Sequence, residues 1–97
     1  MQAHIETTRT KVTFKNDPQA LDLPPRIWDE FLNDAAALHH GAYLVWDNYE
    51  QVATLDVSDL SEKEAFETRV KALRLARRYT TKMEEFWIPK KYSPYYS

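Results

Sequence analysis

The sequence predicts an α+β fold, a single domain over residues 1–97 built in the order β-α-β-β-α, with a three-stranded antiparallel sheet and two helices packed on one face. Three observations lead there. Ser61 to Ile88 is the longest uninterrupted helical pattern in the chain. A second helical pattern closes on Gly41, the only glycine. Between and before these lie stretches rich in β-branched and aromatic residues, which favour strands.

His4 to Phe14 reads as the first strand, rich in Thr and Val, with Ile5, Val12 and Phe14 as its apolar members. Ile5 and Val12 have opposite parity, so the strand needs a bulge or a solvated outer end. Asn16, Asp17 and Pro18 form a turn signal. Asp22 then reads as the N-cap of a helix running to His40, with Pro24 and Pro25 in its first turn, where missing amides cost nothing. Ile27, Trp28, Phe31, Ala35 and Leu38 gather on one side of this helix, and Asp29, Glu30, Asn33, Ala37 and His40 on the other. Gly41 sits where a left-handed C-terminal cap belongs.

Two readings compete from Ala42 to Val57. The preferred one is a hairpin of Ala42–Trp46 and Tyr49–Val57 turning at Asp47-Asn48, a pair that tolerates positive φ. The rival is a helix over Tyr43 to Thr54, which would make the fold all-helical. Ser61 and Glu64 make a capping box that starts the last helix. Phe66, Val70, Leu73, Ala76, Thr80, Met83 and Trp87 recur at steps of three and four as its apolar stripe, widened by Ala72, Leu75 and Tyr79. Lys71, Arg74, Arg78 and Lys82 form a basic ridge on another face. Pro89 is expected to end the helix, leaving residues 90–97 as a short tail pinned by its tyrosines or mobile.

Composition bounds the function. With no cysteine, disulfides, thiolate chemistry and cysteine zinc sites are excluded. No apolar run approaches the roughly 20 residues of a membrane span, and Met1 to Arg9 lacks the apolar core of a signal peptide, so a cytoplasmic protein is expected. His39 and His40 are adjacent and, on a helix, diverge by about 100°. The positions three and four before them are alanines, so no metal site is expected. One glycine cannot supply a phosphate-cradling loop, so no cofactor is expected. Ser58, Ser61, Ser93 and Ser97 lie in caps and tail without an elbow motif. The scattered carboxylates single out no acid–base pair. A non-enzyme is expected.

The net charge of −2 hides a segregation along the chain. Residues 17–67 hold twelve acids against Arg26 and Lys63, a net of −10, so the remainder is +8. Most of that lies between Arg69 and Lys91. Such asymmetry implies electrostatic partnering unless the two halves neutralise each other across the fold. Carboxylates on neighbouring helical positions stand about 5–6 Å apart, close to the phosphate repeat of a nucleic-acid strand, and Asp22, Asp29, Glu30, Asp34, Asp47 and Glu50 are the candidates for such a surface.

In size, lack of cysteine and acidic central segment the chain resembles small phage-encoded inhibitors, the anti-CRISPR proteins of the type I-F group. The resemblance implies a DNA-mimicking acidic surface that occupies the basic target-DNA channel of a Cascade-type CRISPR surveillance complex. The basic ridge departs from that pattern. It carries the alternative, a small nucleic-acid-binding regulator using Lys71, Arg74, Arg78 and Lys82 with the C-terminal tyrosines, although a pI near 5.9 opposes direct binding to phosphate. A third reading is an assembly subunit whose charged halves pair with copies of itself.

Overall fold

The computed structural model describes residues 5–18 and 20–92, with 84–92 described by backbone only. The elements are β1 (Ile5–Thr7), β2 (Lys11–Lys15), α1 (Pro25–Ala36), β3 (Tyr43–Asp47), β4 (Val52–Asp56) and α2 (Glu62–Tyr92). The fold is α+β, but its antiparallel sheet has four strands, in the order β1-β2-β4-β3, not three.

The extra strand comes from the segment expected to be one strand. Ile5 pairs with Phe14 and Thr7 with Val12, so the chain reverses at Thr8–Thr10. The reversal resolves the parity conflict without a bulge, since Ile5 and Phe14 now share a face. Thr8 makes the turn by accepting the Thr10 and Lys11 amides on its hydroxyl oxygen. The Arg69 guanidinium holds it from α2 by donating to the Thr8 carbonyl at 2.9 Å.

The hairpin reading of residues 42–57 holds and the helical one does not. Its turn is the four residues Asn48–Gln51 and not the pair Asp47-Asn48, and the positive φ, 58°, falls at Gln51. Asp47 closes it through its side chain, accepting the Tyr49 and Glu50 amides at 2.8 and 3.2 Å.

Asp22 does not cap α1. It is itself left-handed (φ 49°), and the N-cap is Pro24, with no side-chain cap. Asn16 supplies the anchor instead. Its side chain accepts the Leu23 amide and donates to the Leu23 carbonyl and to Gln51 Oε1, tying the entry of α1 to the β3–β4 turn. The helix ends at Ala36, short of His40, and Gly41 has no positive φ. Glycine at 41 leaves room for Leu60: a Cβ there would stand 2.7 Å from Leu60 Cδ2 and make that side chain shift.

The capping box forms, with the Glu64 amide donating to Ser61 Oγ at 3.2 Å and the Ser61 hydroxyl to Glu64 Oε1 at 3.0 Å. The buried face of α2 matches the expected stripe in part, keeping Ala72, Leu75, Ala76 and Tyr79 and adding Ala65 and Thr68, whereas Phe66 and Leu73 are 59% and 40% exposed. Small side chains let the helix lie close on the sheet, and that close approach selects the face rotated by one residue from the bulkier row. Pro89 does not end α2, whose backbone continues to Tyr92. Proline removes one hydrogen bond, but its fixed φ is itself helical. Ser93–Ser97, with the tail tyrosines Tyr95 and Tyr96, lie outside the described residues.

Both helices cover one sheet face, α1 over β3 and β4 and α2 over β2. Phe31 is the hub of the core. Its ring meets Phe14 edge-on at 4.9 Å and Tyr79 edge-on at 5.3 Å, and stacks on Trp28 at 5.7 Å. The buried indole N–H of Trp28 meets no acceptor among the described residues.

Candidate protein-binding surface

Folding turns the charge segregation of the sequence into a spatial one. From Ile27 to Glu62 there is no Lys or Arg, and this stretch builds β3, β4 and all of α1 but its first two residues, Pro25 and the exposed Arg26; α1, β3 and β4 pack against one another. The bases of β2 and α2 stand on the other side of the sheet order. The domain therefore has an acidic side and a basic side, which meet where α1 crosses α2.

The candidate acids do not all serve one surface. Asp34 is at the seam: its Oδ2 accepts the Tyr79 hydroxyl at 2.6 Å. Burial, this bond and the nearby charges of Asp34 and Glu30 push the Tyr79 phenol well above its ordinary range, so Glu30 belongs to the seam too. The Lys82 ammonium lies 5.8 Å from the Tyr79 ring centre, so the acidic and basic halves partly satisfy each other there. Asp29 stays exposed on α1. Asp47 and Glu50 sit at the β3–β4 turn, and the Asn16 anchor brings the loop carrying Asp22 to the same end.

Sequence reasoning missed the apolar part of this side. Tyr43, Val45 and Trp46 on β3 are 58%, 66% and 51% exposed, and Tyr49 in the turn is 94% exposed. The signal was present in the run Tyr43-Leu44-Val45-Trp46, which reads as core until β3 is placed at the sheet's edge. Asp56 and Asp59 flank it. Asp56 pairs across the ladder with Tyr43, and its carboxyl is held below the ordinary range by the hydroxyl and amide of Ser58 and by Lys11. The Asp59 carboxylate, and more weakly burial and Asp56, raise the pKa of the Tyr43 phenol.

The phase of the sheet shows which backbone groups of β3 are free. The Asn16 amide donates to the Gln51 carbonyl and the Val57 amide to the Thr10 carbonyl. Counting in twos, Ala53 and Leu55 turn their hydrogen-bonding groups toward β2, and Val52, Thr54 and Asp56 turn theirs toward β3. The partners of these last three are Asp47, Val45 and Tyr43. The amides and carbonyls of Leu44 and Trp46 consequently point out of the sheet, unpaired among the described residues.

Elsewhere, Lys71, Arg74, Arg78 and Lys82 are all exposed on α2, and Arg74, Arg78 and Lys82 border, with Arg77, a shallow concavity of about 510 Å³. A groove of about 390 Å³ at the other end of α2 is lined by Arg9, Val57, Leu60, Phe66 and Arg69 among others. His39 and His40 leave the helix and stack at 4.8 Å. His39 Nδ1 accepts the Gly41 amide and Nε2 lies 3.3 Å from Glu64 Oε2, so both ring nitrogens serve the fold. Among the described residues no group of acids and histidines is arranged to hold a metal ion, and no helix is long and apolar enough to cross a membrane. Comparison of the chain with protein-family models, curated proteins and solved structures gives no match.

Proposed function

We propose that this protein is a non-catalytic inhibitor or adaptor that binds a basic, nucleic-acid-binding groove of another protein through its acidic side, in the manner of a DNA-mimicking anti-CRISPR protein. The observation that carries this reading is the acid-rich half of the domain, where α1, β3 and β4 hold Arg26 as their one base and exposed aromatic side chains on β3 stand among Asp47, Glu50, Asp56 and Asp59. Aromatic anchors inside a charged rim are the composition of protein interfaces, and the rim's sign selects a basic partner. Asp29 and Asp22 extend that rim. Glu30 and Asp34 contribute less, because they serve the seam with α2.

Capture of the partner from the native host, identified by mass spectrometry, tests the reading. The expected partner binds nucleic acid, takes up DNA and this protein in competition, and loses affinity for this protein when Asp29, Asp47 and Glu50 are all reversed to Lys. Calorimetry at two salt concentrations measures that loss. Equal affinity of wild type and triple reversal, or undiminished binding to a DNA-loaded partner, overturns the reading. A second reading, direct nucleic-acid binding, is favoured by the exposure of Lys71, Arg74, Arg78 and Lys82 along one helix. A salt-sensitive mobility shift with random DNA, lost on neutralising Arg74 and Arg78, would put that reading first.

A further inference from the structure

We infer that β3 takes up an extended segment of its partner as an additional strand, and that this segment alternates basic and apolar residues. The inference rests on the proposed basic partner and adds how that partner is held. Four features of the edge point to it. The amides and carbonyls of Leu44 and Trp46 face outward with no pairing among the described residues. The strand carries no proline, no bulge in its ladder and no basic residue, so it lacks the usual devices that keep other strands away. Its outward groups alternate with Tyr43, Val45 and Asp47, whose side chains share the open sheet face. Leu44 and Trp46 share the helix-covered face, yet Trp46 remains 51% exposed.

Register then dictates the partner's chemistry. A residue paired with Leu44 or Trp46 lies on the helix-covered face, so apolar side chains belong there. Residues paired with Tyr43 and Asp47 lie on the open face, beside Asp47 at one end and Asp56 and Asp59 at the other. Lys or Arg belongs at both. The required pattern is basic–apolar–any–apolar–basic, and because it reads the same in both directions it fits a parallel or an antiparallel strand. A second copy of this chain fits badly. Pairing β3 with itself about Val45 sets Asp47 opposite Tyr43, at the end of the strand that already carries Asp56 and Asp59, with no base on either strand.

The test uses the full chain, isotopically labelled, and two blocked peptides of identical composition, Arg-Val-Thr-Val-Arg and Val-Val-Thr-Arg-Arg. The alternating peptide should shift the Leu44 and Trp46 amides, slow their hydrogen exchange, and bind about tenfold tighter than the other, a difference of about 1.4 kcal/mol. Trp46→Ala keeps the outward amide and should retain part of the binding. Trp46→Pro removes that amide at a position where an edge strand tolerates proline, and should abolish it. N-methylation of both valines in the peptide makes the same test without altering the protein.

Undiminished binding of the N-methylated peptide overturns strand addition. If reversal of Asp47 and Glu50 to Lys still weakens that binding, the basic-partner reading survives alone. If neither change matters, both fall. A concentration-dependent dimer in sedimentation that the peptide does not dissociate would assign the edge to a second copy and also overturn the inference.

Discussion

The two edges of the sheet are built to different ends. Among the described residues β1 has three, with Glu6 at its centre, and Glu6 pairs with Lys15 of β2 at 3.4 Å. The turn that follows β1 is held by Arg69 and flanked by an ion pair of Arg9 with Glu62. β3 has five residues, four of them apolar or aromatic, and its only charge is the carboxylate of Asp47. An edge with a charge at its centre resists additional strands, and one with four apolar or aromatic residues of five invites them. The same sheet thus closes one side and leaves the other open, so the open side reads as a surface with a use.

The largest effect should come from the core that carries both edges. Phe31→Ala removes the ring shared by α1, β2 and α2 and should cost about 3–5 kcal/mol, with exchange protection lost from β1 and β3 together; loss confined to one edge would mean that the edges do not share a core. Asn16→Ala should cost about 1–3 kcal/mol, because it strips the partly buried Leu23 amide of its acceptor. That loss should loosen the β3–β4 turn before the β1–β2 turn, as resolved by amide exchange. Val45→Lys gives β3 the guard it lacks. Stability should change by no more than about 0.5 kcal/mol at so exposed a site, while partner capture falls.

Acid should act through Glu64. The Ser61 hydroxyl first, then His39 and the Ser61 amide, hold its carboxyl below the ordinary glutamate range. A depressed carboxyl contributes stability above its unfolded pKa and loses it as pH falls through the folded value. Urea midpoints should therefore drop on acidification through that window, and Glu64→Gln should flatten the slope. The site is exposed, so the effect should be small and should shrink further in salt.

How much of this was legible in the sequence depended on whether local chemistry or packing decided the outcome. The capping box at Ser61 and Glu64 and the turn begun by Asp47 are local, and both were readable. The reversal at Thr8 was not, because a threonine hydroxyl makes a weak turn signal and the parity change between Ile5 and Val12 also fitted a bulge. The face of α2 was legible at Ala72, Leu75, Ala76 and Tyr79 and misplaced at Phe66 and Leu73, because those two outweigh Ala65 and Thr68 in hydrophobicity whereas close approach to the sheet favours the smaller side chains. Leu75, not Leu73, is the leucine whose truncation should open a cavity. The entry of α1 was misread for a related reason: Asn16 acts across the fold, and Asp22 next to the prolines imitates a cap. Among the candidate acids, Asp47 and Glu50 could be placed at a turn from the chain alone. That Asp34 binds Tyr79 is a tertiary fact with no local signal.

The contact between His39 and Glu64 has a mechanical consequence. The connector from α1 to β3 is fastened near its middle to the first turn of α2, with Gly41 letting Leu60 close in beside it. A load applied along β3 by a bound segment therefore passes into the first turn of α2 before it reaches α1. Pulled at that edge, the domain should yield first at the helix start, and the acid that protonates Glu64 should lower the force required.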